Sequence, residues 1–139
     1  MAEPVQDVMH AMAREQCYLC VMTLVETPPA DAPPAADLRR AHKEFLADLE
    51  RKGRIFGAGK LKNAKEKEKT DLGYGMFILR AESRVEAESI AFQEPNTKAG
   101  LRTMKLIPWQ RTEGDINISI SFTNGTVKID RRSYLLESS

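Results

Sequence analysis

What the chain has little of sets its limits first. There are two cysteines, two histidines and one tryptophan in 139 residues. No cluster of His, Cys and acidic residues shows metal-ligand spacing, and no serine triad pattern is present. The stretch GAGKLKN, residues 57–63, lacks the second half of a phosphate-binding loop, and its first lysine is not followed by Ser or Thr. The sequence therefore predicts neither cofactor nor metal. Charge of one sign is also missing: 21 basic against 20 acidic side chains leave a formal net charge of +1. A nucleic-acid surface needs a basic excess, so no such partner is expected. No apolar run approaches the ~18 residues of a membrane span. The opening MAEPVQDVMHAMAREQ begins acidic and has no continuous apolar core, unlike a secretory signal. A cytoplasmic protein of one domain, without membrane contact, is the expectation.

The two thiols, Cys17 and Cys20, have C-x-x-C spacing. A redox pair of that kind works at a helix N-terminus, where the thiol pKa falls. CYLCVMTLVE instead reads as a strand, rich in β-branched and aromatic residues. Strand residues three apart point to opposite faces, which opposes bridging or shared ligation. These are small strand residues.

What is present divides into three regions. Residues 1–16 read as an N-terminal arm or short helix, with Val5, Val8, Met9 and Met12 at helical spacing and His10 without partners. A core of residues 17–111 follows. It starts with a strand to about Glu26 and the linker TPPADAPPAA, whose four prolines exclude regular structure. Asp37 is the expected N-cap of a helix that ends at Gly53. RIFGAGKL makes a short strand, and the charged run KNAKEKEKTDLG reads as a solvated connection, with a mobile flap as the other reading. YGMFILRA is a strand. Ser83-Arg-Val-Glu86 has the capping-box pattern and opens a helix to about Gln93, with Val85, Ala87, Ile90 and Ala91 as its apolar face. Pro95 stops it. A strand over 103–111 contains Pro108, which restricts it to a sheet edge or a bulge.

The third region, 114–132, is a C-terminal β-hairpin turning at Asn124-Gly125. A two-residue turn there puts Phe122 opposite Val127, Ile120 opposite Ile129, and Ser121 opposite Lys128.

Strand, helix, strand, strand, helix, strand is the split βαβ order. It predicts an α+β, ferredoxin-like antiparallel sheet with two helices on one face. The other face would stay exposed in a monomer, so a homodimer is expected.

The first helix contains an unusual member. Leu38, Ala41, Phe45, Leu46 and Leu49 form its apolar stripe, and His42 falls on the same stripe. Two readings are open. Either the ring is a packed, satisfied core residue, or it does proton chemistry.

Arg40-Ala-His42, then Leu49, Gly53, Ile55 and Ala58-Gly59, then Glu94-Pro95-Asn-Thr-Lys-Ala-Gly100 resemble the YCII-related family over about residues 17–110. The resemblance implies a ferredoxin-like fold that pairs into a dimeric α+β barrel. It also implies a His–acid pair, here His42 and Glu94, as the catalytic site. Two departures are visible: Glu94 stands where the family has Asp, and Lys60 stands where Pro follows the Ala-Gly. Arg40, Lys60 and Tyr74 are candidate substrate-binding residues, with Trp109 beside them, although strand aromatics more often belong to the core. The implied function is cofactor-independent proton transfer in the elimination, isomerisation or hydrolysis of a small metabolite. Some family members eliminate halide from chlorinated hydroxylated aromatics. The competing reading is a non-catalytic dimeric module that binds a small molecule or a protein. The His42–Glu94 geometry discriminates between them.

Overall fold

The computed structural model describes residues 14–62, 71–115, 117–129 and 132–135, and within these it leaves out the side chains of residues 62, 71–74, 128, 129 and 132–135. The expected N-terminal helix with His10 and the centre of the charged run lie outside the described residues.

The elements run β1 (Gln16–Leu24), α1 (Ala35–Arg51), β2 (Ile55–Lys62), β3 (Asp71–Arg80), α2 (Arg84–Ala91), α3 (Pro95–Lys98), β4 (Arg102–Gln110), β5 (Ile118–Ser121), β6 (Thr126–Ile129) and β7 (Arg132–Leu135). The first four strands form one sheet in the order β2-β3-β1-β4, and each neighbouring pair is antiparallel. This is the ferredoxin-like α+β arrangement that the split βαβ order predicts. Pro108 lies in β4, an edge strand, opposite Tyr18 of β1. The missing N–H therefore disturbs only one ladder.

Alternation along β1 sends Tyr18, Cys20 and Met22 to the helix side, where they meet Phe77 and Leu79 of β3 and Leu106 of β4. From α1, Leu49 is buried against this layer, and the Phe45 ring meets Phe77 edge-on at 6.2 Å. From α2, Ala87 and Ala91 are fully buried, and their small side chains let the helix approach the sheet closely. Cys17 faces the opposite way from Cys20. Both are free, buried thiols, and burial raises the pKa of each, that of Cys20 to about 12.

Among the described residues, no helix lies on the other face of the sheet. There Leu19 pairs with Ile107 and Cys17 with Trp109. A register break after Ile55 turns out Phe56, whose ring meets Trp109 edge-on at 5.8 Å. The guanidinium groups of Arg80 and Arg111 lie 5.5 and 5.0 Å from the same ring.

Several local expectations are corrected. The N-cap of α1 is Pro34, not Asp37, and its carbonyl accepts from the Asp37 and Leu38 N–H groups. Proline at that position presets the φ of helix entry, and Asp37 moves into the first turn, where its charge suits the helix dipole. Gly53, at φ +70°, closes α1 as expected. Its N–H bonds to Glu50 and that of Arg54 to Leu49, the two bonds of a Schellman motif. Ser83 caps α2 by accepting from the Glu86 N–H. Val85 is not on the buried face of α2, being 77% exposed in its first turn.

The hairpin register also differs. Ile120 pairs with Val127, Ile118 with Ile129 and Ser121 with Thr126. The turn takes four residues, 122–125, because Gly125 at φ +60° closes it while Ser121 Oγ accepts from the Asn124 N–H. The shift of two preserves which residues share a face, but leaves Phe122 in the turn, 93% exposed. A third strand, β7, joins β6 to make a separate three-stranded sheet. No helix of the described residues is long and apolar enough to cross a membrane.

Candidate functional site

Ala35, Leu38, Arg39, His42, Lys43 and Leu46 recur at intervals of three and four along α1, so they form one strip of its surface. That strip forms one wall of an open cleft of about 820 Å³. The facing wall comes from the sheet: Met22 of β1, Lys60 of β2, Gly75 and Met76 of β3 and Arg102 of β4. His42 sits in the middle of the helical wall.

The partner of His42 comes from α3. The sequence Glu94-Pro-Asn-Thr-Lys-Ala-Gly100 is a four-residue helix capped at both ends. Pro95 occupies its first position, where a missing N–H costs nothing. Glu94 is its N-cap. Gly100, at φ +75°, ends it: the Gly100 N–H bonds to Thr97 and the Leu101 N–H to Asn96. Pro95 therefore does more than stop α2, which closes earlier with Phe92 as its C-cap.

Glu94 is fully buried, and both its oxygens are saturated. Oε1 accepts from the Asn96 N–H at 3.1 Å and the Asn96 side-chain amide at 2.8 Å. Oε2 accepts from the Thr97 N–H at 2.8 Å and the Thr97 hydroxyl at 2.7 Å. His42 Nδ1 lies 2.8 Å from Oε1. Burial is the largest influence on this carboxyl and pushes its pKa up. The bonds from His42, Asn96 and Thr97 together outweigh it and bring the pKa to about 2.

An ionised carboxylate can only accept, so Nδ1 must carry the proton and donate it. The neutral ring is then the Nδ1–H tautomer, with its lone pair on Nε2. The His42 side chain is 23% exposed while Glu94 is sealed, so the Nε2 edge is the part of the ring turned to the cleft.

The other candidates divide. Lys60 lines the cleft. Arg40 does not: its side chain is 71% exposed and bound to Asp37 at 3.2 Å. One position along a helix is a rotation of about 100°, which carries Arg40 off the strip that Arg39 and Lys43 occupy. The backbone of Tyr74 pairs with Leu61 in the sheet, and its side chain lies outside the described residues. Trp109 packs on Phe56 across the open face of the sheet, away from the cleft. Sequence reasoning missed Asn96, Thr97 and Arg102. The signal for the first two was an acid directly before Pro-Asn-Thr, which is an N-cap pattern. Among the described residues, no group of three or more His, Cys, Asp and Glu side chains could hold a metal ion.

The YCII-related domain matches residues 19–110, which spans β1 to β4 and both residues of the pair. A solved structure of 5-chloro-2-hydroxyhydroquinone dehydrochlorinase from Burkholderia phenoliruptrix, in complex with 2,5-dihydroxybenzoquinone, is similar at 26% sequence identity. The similarity has a TM-score of 0.50 and covers 67% of this chain and 92% of that one. No curated protein matches.

Proposed function

Because the chain belongs to the YCII-related family, we propose that it is a cofactor-independent enzyme in which His42 moves a proton on a small organic molecule. One observation supports this above others: a 2.8 Å His42–Glu94 contact that is sealed on the acid side and open to the cleft on the ring side. His42 Nε2 takes a proton from the bound molecule as general base, and Glu94 stabilises the imidazolium that results. In an elimination, the C–H electrons form the new double bond and the leaving group departs with its own pair. In an isomerisation, the same nitrogen returns the proton to another atom. The similar dehydrochlorinase makes hydroxylated, halogenated aromatics the first compounds to test.

A homodimer belongs to the same proposal. Among the described residues no helix covers the apolar face of Leu19, Ile107, Phe56 and Trp109, and a second copy would cover it. So does a cytoplasmic location.

A second reading has its own support. Four of the five bonds to Glu94 come from Asn96 and Thr97, so its place is explained by capping α3 alone. The protein is then a binding module whose histidine merely completes the cap. Halide release and ultraviolet spectra over a panel of chlorinated hydroxyquinols and hydroquinones separate the two. Turnover lost in His42→Asn, with the circular dichroism spectrum unchanged, supports the enzyme. Turnover that survives this substitution overturns the role of His42, and binding without turnover across the panel leaves the module.

A further inference from the structure

Glu94 orients a second side chain besides His42, and that one also belongs to the cleft. Asn96 Nδ2 donates to Glu94 Oε1 at 2.8 Å, the same oxygen that His42 Nδ1 meets at 2.8 Å. The two nitrogens therefore lie within twice that distance of each other. Asn96 and His42 both line the cleft, whereas Thr97, which binds the other oxygen, does not. The backbone of α3 sets the amide in place. Asn96 is the second residue of that helix, its own N–H bonds to Oε1, and its carbonyl accepts from the Leu101 N–H.

The carboxylate also fixes which way the amide faces. An ionised oxygen only accepts, so Nδ2 is the end turned toward it and the carbonyl Oδ1 is the end turned away. Among the described residues no donor bonds to Oδ1, and none of their buried side-chain oxygen or nitrogen atoms is left without a bond. Oδ1 is therefore an accessible atom of a residue that lines the cleft. The same holds for His42 Nε2, which carries the lone pair of the Nδ1–H tautomer. One cleft thus presents two acceptors, an imidazole nitrogen and an amide oxygen, both oriented by a single carboxylate oxygen. A ligand that covers them has to bring a donor to each, because an acceptor shut off from water without a partner costs about tenfold in binding.

We infer that Asn96 is a ligand-binding residue that selects molecules carrying a hydroxyl in addition to the group that gives its proton to His42, this hydroxyl donating to Asn96 Oδ1. An ether oxygen or a halogen at the same place sets acceptor against acceptor and is rejected. A neutral hydroxyl also loses less on leaving water than a charged ammonium donor does. The inference rests on the reading of His42 as the residue facing the ligand, and adds a second point of contact to it.

The test compares catechol, resorcinol and hydroquinone, each with its monomethyl ether, by NMR titration of the full chain. At one or more of the three hydroxyl spacings, wild type binds the diol about tenfold more tightly than its ether. Roughly twofold of that is the statistical gain of a second equivalent hydroxyl, and the rest is one hydrogen bond. Asn96→Ala reduces the ratio to the statistical part. Thr97→Val, which removes a bond of the same kind from Glu94 but leaves Asn96 in place, keeps the ratio. Ratios of about twofold or less at all three spacings overturn the inference, as does a ratio that survives Asn96→Ala or falls equally far in Thr97→Val. A reading in wild type needs no variant: the ¹³Cγ signal of Asn96 moves downfield with the preferred diol, and an equal shift with its dimethyl ether, which has no donor, overturns the assignment. Diol preference without turnover of any compound removes the chemistry proposed for His42 and keeps the role of Asn96. Turnover of the ether as fast as of the diol, abolished in His42→Asn, keeps the chemistry and removes that role.

Discussion

His42 and Glu94 are 52 positions apart in the chain and meet at 2.8 Å between Nδ1 and Oε1. One comes from the middle of a long helix, the other from the cap of a one-turn helix. The carboxylate already has four donors from its own turn, so the histidine reads an orientation that α3 fixes in advance.

If the pair works as a unit, His42→Asn lowers kcat by about a hundredfold or more, the range of general acid–base catalysis. Glu94→Gln lowers it as well, and the double variant is no worse than His42→Asn alone. Steady-state kinetics on the first active substrate checks this. Multiplying losses mean that the two act independently.

Ring nitrogen shifts give a check that needs no substrate. In wild type, neutral His42 is held as the Nδ1–H tautomer by the carboxylate. In Glu94→Gln the partner becomes an amide that can donate or accept, and the tautomers mix. Identical ¹⁵N spectra in the two proteins would mean that the contact does not fix the ring.

Acid sensitivity follows from Glu94, with a definite sign. Its folded pKa is about 2, below the ordinary 4.5. The carboxylate therefore stabilises the fold fully above about pH 4.5, and that contribution is lost as pH falls toward 2. The amount is roughly 3 kcal/mol, from the size of the shift. Urea unfolding between pH 7 and pH 3 should show stability falling in wild type and a flatter dependence in Glu94→Gln.

The two helix-ending glycines should differ in sensitivity. Gly53→Ala adds a Cβ at φ +70° with no atom within 4 Å, so it meets only backbone strain of about 1 kcal/mol. Gly100→Ala has the same strain at φ +75° and in addition places the Cβ 3.1 Å from Pro29 Cγ. Thermal melts should therefore show the larger drop for Gly100→Ala. It should also reach the site, since α3 carries Glu94.

Light scattering at micromolar concentration should report a dimer. Ile107→Glu, on the sheet face that no helix of the described residues covers and 38% exposed, should shift it toward monomer or precipitate it. A wild-type monomer would remove the dimer from the proposal.

The element order was readable because its signals are local: alternation in β1, prolines in the linker, Ser83 three before Glu86, Pro108 where an edge strand can hold it. The pairing of His42 with Glu94 was not local. A separation of 52 residues leaves no periodicity, and only the resemblance joined them. The position of Arg40 off the cleft follows from helix geometry that is present in the sequence. At about 100° per residue Ala35, Leu38, Arg39, His42, Lys43 and Leu46 fall on one side of α1, and Arg40 falls outside that arc. The hairpin was misjudged because Asn124-Gly125 suits a two-residue turn and the end of a four-residue one equally well. The longer turn is accompanied by a local bond, the Asn124 N–H donating to the Ser121 hydroxyl three residues before it.

The saturation of Glu94 has a consequence for the number of protons in play. Each carboxylate oxygen is committed to donors, and the group stays ionised to about pH 2, so it has no capacity to store a proton during a reaction. Under the proposed mechanism the pair then has a proton capacity of one, and the imidazole supplies all of it. A reaction that removes a proton from one atom while delivering another elsewhere in the same instant exceeds what the pair can hold, and its second proton must come from another group, the substrate or water. Sequential chemistry, with removal first and return or release afterwards, is what a pair of capacity one can support by itself.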